Sequence, residues 1–157
     1  MRGHSSSGKV PIDICHEWCQ PPHLDTTMVR ILIADDNTLV RKLLRNLVEQ
    51  DKDWEVCGEA IDGGEVVQRI METQPDLIVL DFHMPVMNGL QAAREIAKVA
   101  PEVPVLLCTA HLSIGLLGEA RRIGIQGAVS KSRAGDIVKG IKALLRHELF
   151  FCQPAEI

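Results

Sequence analysis

Residues 76–89, DLIVLDFHMPVMNG, carry the clearest structural signal in the chain. The four consecutive apolar residues, 77–80, are typical of a strand that is buried on both faces. The run ends in Asp81, and the Pro-containing turn that follows leads to Asn88-Gly89, which predicts the start of a helix. A buried strand followed by a turn and a helix is the unit from which parallel α/β sheets are built.

The same alternation of strand and helix extends in both directions from this stretch. Apolar runs predict strands at 29–34, 55–60, 76–80, 103–109 and 125–130. Helical periodicity predicts helices at 39–48, 64–73, 90–99, 113–123 and 134–146. Five such units with short connections predict one parallel sheet with helices on both faces, since right-handed crossovers leave few other arrangements. Ligands of such sheets bind beyond the carboxyl ends of the strands.

The length of the chain, 157 residues, and its 46% hydrophobic content are enough for one buried core. We expect residues 29–149 to form this domain and residues 150–157 to form a C-terminal tail or the start of a linker. Residues 1–28 mix Ser, Gly, Pro and His without a period, which predicts a poorly ordered extension. Four residues there have the types that bind zinc, but their irregular spacing favours a disordered tail. They are Cys15, His16, Cys19 and His23.

The charge, the apolar runs and the cysteine count exclude several classes of protein. The formal net charge is −4 and 24% of the residues are charged, so the chain has no basic surface for nucleic acid. Its apolar runs fall short of the roughly 20 residues of a membrane span. The N-terminal stretch contains acidic residues and prolines where a signal peptide would need an apolar segment. The lack of that apolar segment and the odd number of cysteines, five, both favour a reducing cytoplasm as the location.

Polar residues stand at the ends of four predicted strands: Asp35 and Asp36 after the first, Asp81 after the third, Thr109 ending the fourth and Lys131 after the fifth. In a parallel sheet they meet at one edge. Three carboxylates there would raise one another's pKa unless a cation were bound, and an all-oxygen site suits Mg²⁺. Taken singly, each residue has an ordinary explanation, because Asp also caps helices and a lysine is usually solvated.

Four blocks of the chain resemble the conserved blocks of the two-component response-regulator receiver family. They are residues 29–37, 77–89, 105–110 and 127–132. The likeness spans about 29–149 and implies a single CheY-like, flavodoxin-like, doubly wound α/β domain with a five-stranded parallel sheet, order 2-1-3-4-5, and five helices. Residues 53–60 and 149–157 resemble receivers of the NarL/FixJ type, which implies a possible link to regulation of transcription.

The resemblance implies a role for each matching site residue. Asp81 would accept a phosphoryl group from a phosphohistidine on a sensor histidine kinase or a phosphotransfer protein. Lys131 would clamp a phosphoryl oxygen, and Thr109 would move toward the new group as a switch. The implied Mg²⁺ ligands are Asp35, Asp36, Asp81 and the main-chain carbonyl of His83. Such a chain is a signalling switch that catalyses its own phosphorylation and slow dephosphorylation, not an enzyme with a separate substrate.

Two further expectations concern the fourth helix. Gly115 and Gly118 predict a marginally stable helix suited to a switch, unless they serve only to allow close packing. Receivers often pair through the fourth helix, fifth strand and fifth helix, so a homodimer through this face is expected. The charged residues available for it are Arg121, Arg122, Asp136 and Lys139.

The chain also departs from the family pattern. Many receivers carry an aromatic residue three positions before the lysine, and this one has Ala128, so coupling through a rotating aromatic ring at that position cannot operate. The residue after Lys131, often Pro, is Ser132. Positions two beyond Asp81 and Thr109, where the family tunes acyl-phosphate lifetime, are His83 and His111.

Three other function classes fit this sequence less well than a receiver does. A haloacid-dehalogenase-like phosphatase wants a second Asp where this chain has His83. A flavodoxin needs a Ser/Thr/Gly-rich phosphate loop after the first strand, where Asp35 and Asp36 would repel phosphate. A binding module with the receiver fold but no phosphorylation is the strongest rival, and the presence of all five polar residues argues against it.

Overall fold

The computed structural model describes residues 27–154. The predicted N-terminal extension up to residue 26, with its zinc-binding alternative, lies outside these residues. The strands are β1 (Val29–Ala34), β2 (Trp54–Ala60), β3 (Leu77–Asp81), β4 (Val105–Thr109), β5 (Gly127–Ser130) and β6 (Phe150–Phe151). The helices are α1 (Thr38–Glu49), α2 (Gly63–Thr73), α3 (Gly89–Val99), α4 (Ile114–Arg122) and α5 (Ala134–Leu145).

The strands form one parallel sheet in the order β2-β1-β3-β4-β5-β6. The predicted order 2-1-3-4-5 and the five helices are confirmed. The prediction of five strands was one short, because Phe150 and Phe151 pair with Gly127 and Ala128 at the sheet edge. A two-residue strand is too short to show a period-2 pattern, so the sequence placed these residues in the tail.

Alternation along the strands divides the core into two layers. In β1, Ile31 and Ile33 pack with α1 and α5 on one face, whereas Leu32 and Ala34 pack with α2, α3 and α4 on the other. The four residues are at most 1% exposed. Because both faces of the sheet are covered, β3 is apolar along its length up to its last residue, Asp81.

Side-chain caps start four of the five helices. Asn37, Asp62, Asn88 and Ser113 each accept a hydrogen bond from a main-chain N–H in the first turn of α1, α2, α3 and α4. All four helices start just beyond the carboxyl ends of strands, so the caps fix the loops on that edge of the sheet. No helix within residues 27–154 is long and apolar enough to cross a membrane.

Candidate functional site

The carboxyl edge of the sheet gathers the five predicted polar residues. Asp35 follows β1 and is fully buried, Asp81 ends β3 and is 3% exposed, and Thr109 ends β4 and is fully buried. They are the three buried polar or charged residues of the described chain. Asp36 is exposed beside them, and Lys131 follows β5 with a side chain that is 20% exposed.

Lys131 joins two of the carboxylates. Its Nζ lies 2.6 Å from Asp35 Oδ2 and 2.9 Å from Asp81 Oδ1. The ammonium therefore bridges the ends of β1 and β3 from its position after β5. Both carboxylates are buried, so this contact compensates charges that would otherwise be costly to remove from water.

Asp35 is held by main-chain hydrogen bonds as well as by Lys131. Its main-chain N–H donates to Ala60 O at 3.0 Å, and its Oδ1 accepts from the main-chain N–H of Asn37 at 2.9 Å. The buried Oδ2 has no partner in the described chain beyond the contact with Lys131. Asp35 is thus a turn residue of the β1–α1 loop and also a member of the acidic cluster, and Asn37 is the residue that caps α1.

Burial dominates the electrostatics of the acceptor candidate. The pKa of Asp81 is raised, first by burial and then by the negative charge of Asp35, against the opposing effect of Lys131 and of the His83 main-chain N–H. Burial would lower the pKa of Lys131, but its contacts with Asp35 and Asp81 outweigh burial and raise that pKa. Two carboxylates against one ammonium leave the buried group with a net negative charge.

This arrangement fits a hard divalent cation. Oxygen atoms of Asp35, Asp36 and Asp81 all lie within 4.8 Å of one another. The donors are carboxylates, the buried group carries excess negative charge, and the exposed Asp36 leaves one side open to water, which Mg²⁺ tends to retain. Apart from Lys131, the fully buried Asp35 Oδ2 has no polar partner within the described residues. The predicted ligand role of the His83 carbonyl stays a prediction.

The loop between β3 and α3 passes close to Asp81. Gly89 N–H donates to Phe82 O at 2.7 Å. A Cβ atom at Gly89 would lie 2.5 Å from Asp81 O and 2.9 Å from Phe82 Cα, so only glycine allows α3 to begin this near the strand. Asn88 and Gln91 complete a capping box at the same point. The MNG sequence therefore fixes where the backbone turns away from Asp81.

Thr109 couples the ends of β4 and β5. Its main-chain carbonyl accepts from Lys131 N at 2.8 Å, and its Oγ1 accepts from the His111 main-chain N–H at 3.3 Å. The hydroxyl thus faces the loop that leads into α4. A displacement of the Thr109 side chain would first change the position of that loop.

Sequence reasoning missed one contact at the site. Arg41, in the first turns of α1, donates from Nη1 to the main-chain O of Asp35 at 2.7 Å and from Nε to Glu59 Oε1 at 2.8 Å. A lone arginine on an amphipathic helix gives no sequence signal for such a contact, because it depends on how α1 lies against the end of β2.

The comparisons with known proteins agree with this geometry. The family model described as the response regulator receiver domain matches residues 31–142 of the chain. The chemotaxis protein CheY of Listeria monocytogenes is 35% identical over 111 residues, which cover 71% of this chain and 92% of that protein. A crystal structure of a LuxR-family two-component response regulator from Aurantimonas is 31% identical with a TM-score of 0.76, covering 79% of this chain and 89% of that one.

Relatives with a further activity match over a smaller part of their length. A protein-glutamate methylesterase/protein-glutamine glutaminase of Pyrococcus abyssi is 44% identical over 82 residues, which are 52% of this chain but 22% of that protein. The receiver region is what these proteins share with the chain. Family model, relatives and fold together show that this chain belongs to the response regulator receiver domain family, the phosphorylated signalling switches of two-component systems.

Proposed function

We propose that Asp81 is the residue on which this receiver is phosphorylated, with Asp35, Asp36 and Asp81 holding Mg²⁺. The observation that carries the proposal is the setting of the Asp81 carboxylate. It is 3% exposed, lies 2.9 Å from the Lys131 ammonium and shares a 4.8 Å cluster with two other carboxylates. Receivers accept the group from histidine kinases or phosphotransfer proteins, so the donor here is a phosphohistidine.

The reaction places a carboxylate oxygen of Asp81 on phosphorus as the P–N bond to the donor imidazole breaks, and the imidazole leaves with a proton from solvent. Mg²⁺, when bound, supplies charge neutralisation on the phosphoryl oxygens. Lys131 already touches Asp81 Oδ1, so its ammonium is placed to pair with an oxygen of the new group. Asp35 holds the ammonium from the other side at 2.6 Å.

Thr109 then acts as the switch. Its buried hydroxyl accepts from His111 N in the unmodified protein, and the new phosphoryl group offers it a stronger, charged acceptor. Reorientation of the hydroxyl would release the start of the loop to α4. The protein acts as a switch that phosphorylates itself from a small or protein donor, and likeness to a LuxR-family regulator favours an output in transcription.

The test is intact mass after incubation with acetyl phosphate and Mg²⁺. The native chain is expected to gain one phosphoryl group, about 80 Da, and to lose this gain when the metal is chelated. Asp81→Asn should show no gain. The matched control is Asp76→Asn, at the other end of the same strand, where the exposed carboxylate accepts from Arg30 N; it should be phosphorylated like the native chain.

Two outcomes would contradict the proposal. If the folded native chain binds Mg²⁺ and gains no mass, the chain is a binding module with a receiver fold. If the gain persists in Asp81→Asn, another residue is the acceptor.

We also propose that phosphorylation promotes pairing of two copies through α4, β5 and α5. Two charged residues of this face already have partners within the chain, since Arg121 lies on the Phe151 ring and Arg122 pairs with Glu119. Light scattering on the phosphorylated sample would show a doubled mass.

A further inference from the structure

Arg41 is a partly buried cation beside the acidic site that the proposed chemistry does not use. Its side chain is 13% exposed. Nη1 donates to the main-chain O of Asp35 at 2.7 Å, Nε donates to Glu59 Oε1 at 2.8 Å, and Nη2 lies 3.4 Å from Thr38 Oγ1. The guanidinium therefore links α1, the end of β2 and the loop after β1.

The Asp35 carbonyl belongs to the peptide group that leads into Asp36. Because a peptide group is planar, a hydrogen bond that fixes its oxygen also restricts the position of the next Cα, from which the Asp36 side chain extends. Asp36 is exposed, and within residues 27–154 its carboxylate makes no ion pair or hydrogen bond of its own. Its aim therefore depends on how the backbone before it is held.

Glu59 holds Arg41 in place from the other side. Its Oε1 accepts from Arg41, and its Oε2 accepts from Arg45 Nε at 2.9 Å and Nη2 at 2.7 Å. Burial alone would raise the pKa of Glu59, but the hydrogen bonds from Arg45 and Arg41 outweigh it and lower that pKa. The carboxylate stays ionised and gives Arg41 a fixed, charged partner, as outer groups around metal ligands commonly do.

We infer that Arg41 is a positioning residue for the metal site, which aims Asp36 by holding the carbonyl of Asp35. The inference rests on the proposed function, since it assumes that Mg²⁺ binds at this cluster. This positioning role distinguishes Arg41 from the neighbouring Arg45. Both arginines share Glu59, but Arg45 makes no contact with the β1–α1 loop and its other partner is Glu49.

The pair supplies a matched experiment: Mg²⁺ dissociation constants by isothermal titration calorimetry for the native chain, Arg41→Gln, Arg45→Gln and Arg41→Lys. Arg41→Gln is expected to weaken Mg²⁺ binding about tenfold, as loss of an outer-shell partner typically does. Arg45→Gln should bind within about twofold of native, because the ion pairs that it removes are with Glu59 and Glu49 and do not involve the β1–α1 loop. Arg41→Lys keeps the charge but has one nitrogen for two acceptors, and should fall between them.

A second readout separates positioning from loss of stability. Thermal unfolding should show similar losses for Arg41→Gln and Arg45→Gln, since both weaken the Glu59 interaction. At saturating Mg²⁺, phosphorylation of Arg41→Gln by acetyl phosphate should recover toward the native rate. Native Mg²⁺ affinity in Arg41→Gln, or an equal loss in Arg45→Gln, would overturn the inference.

Asp36→Asn separates this inference from the proposed function. Loss of Mg²⁺ binding in Asp36→Asn with an unchanged Arg41→Gln would reject the role of Arg41 and leave the site intact. If Asp36→Asn binds Mg²⁺ as the native chain does, the metal lies elsewhere, and both the proposed metal site and the role of Arg41 fail.

Discussion

Helices α1 and α4 both follow strands that carry site residues, yet different kinds of contact attach them to the molecule. Two arginines of α1 reach Glu59 at the end of β2, and one of them also holds the loop after β1. In α4, the buried side chains are Leu117 and Ala120. Its ion pair, Arg122 with Glu119, is internal to the helix.

The glycines of α4 add to this difference. A Cβ atom at Gly118 would meet nothing within 4 Å, and one at Gly115 would meet only Ser113 Oγ at 4.0 Å. Close packing therefore does not explain these residues, and the alternative interpretation in terms of packing is wrong. They lower the helix propensity of the element that follows Thr109. The side that carries the acidic cluster is tied to the sheet by ion pairs from α1, whereas the helix after Thr109 contains two residues of low helix propensity, which suits the proposed switch.

The largest effect that tests this contrast is on metal binding. Asp35→Asn removes a buried negative charge from the acidic cluster beside α1. It is expected to weaken Mg²⁺ binding by more than about tenfold, since a carboxylate of the cluster becomes neutral. Thr109→Val, at the start of the loop to α4, keeps the side-chain volume and should leave the Mg²⁺ affinity within about twofold of native. Calorimetric titration measures both. A comparable loss in Thr109→Val would mean that the two sides are not separate.

A smaller effect is expected in acid. The folded pKa of Glu59 is lowered from its usual 4.5, so its contribution to stability is present above pH 4.5 and is lost as the pH falls through the folded value. Glu59→Gln should therefore cost about 1 kcal/mol or less at pH 7, given the partial exposure of Glu59, and this difference should shrink steadily as the pH falls below 4.5. Urea unfolding at several pH values measures it.

Glu119→Gln is the matched control on α4. Its ion pair with Arg122 is exposed and lies within one helix, so removal should change the unfolding free energy by less than about 0.5 kcal/mol. An equal, pH-dependent loss in both variants would show that α4 is anchored as firmly as α1.

The smallest effect concerns the helix itself. Gly118→Ala should stabilise the protein by about 1 kcal/mol, because it restores helix propensity where a Cβ has room. For a domain of this size that raises the midpoint of thermal unfolding by about 2–4 °C. Gly63→Ala is the opposite control, because its Cβ would lie 2.8 Å from Met87 O. A lowered midpoint for Gly118→Ala would contradict the description of α4.

Strand ends made most of the site predictable from sequence. Asp35, Asp81, Thr109 and Lys131 converge because parallel strands end at one edge, and their positions in the chain are enough to show it. The contact from Arg41 to the Asp35 carbonyl was not predictable, since it depends on the rotation of α1 about its axis. Strand β6 was missed because its two residues are held by the edge of β5, not by a pattern of their own.

Val86, in the loop beyond Asp81, has a φ of 73° and is 80% exposed. Met87 N donates to Pro85 O across it at 2.8 Å, which makes a classic γ-turn. A β-branched residue in the left-handed region carries about 1–3 kcal/mol of strain. Glycine at this position would relieve the strain but would enlarge the conformational freedom of the loop beside Asp81.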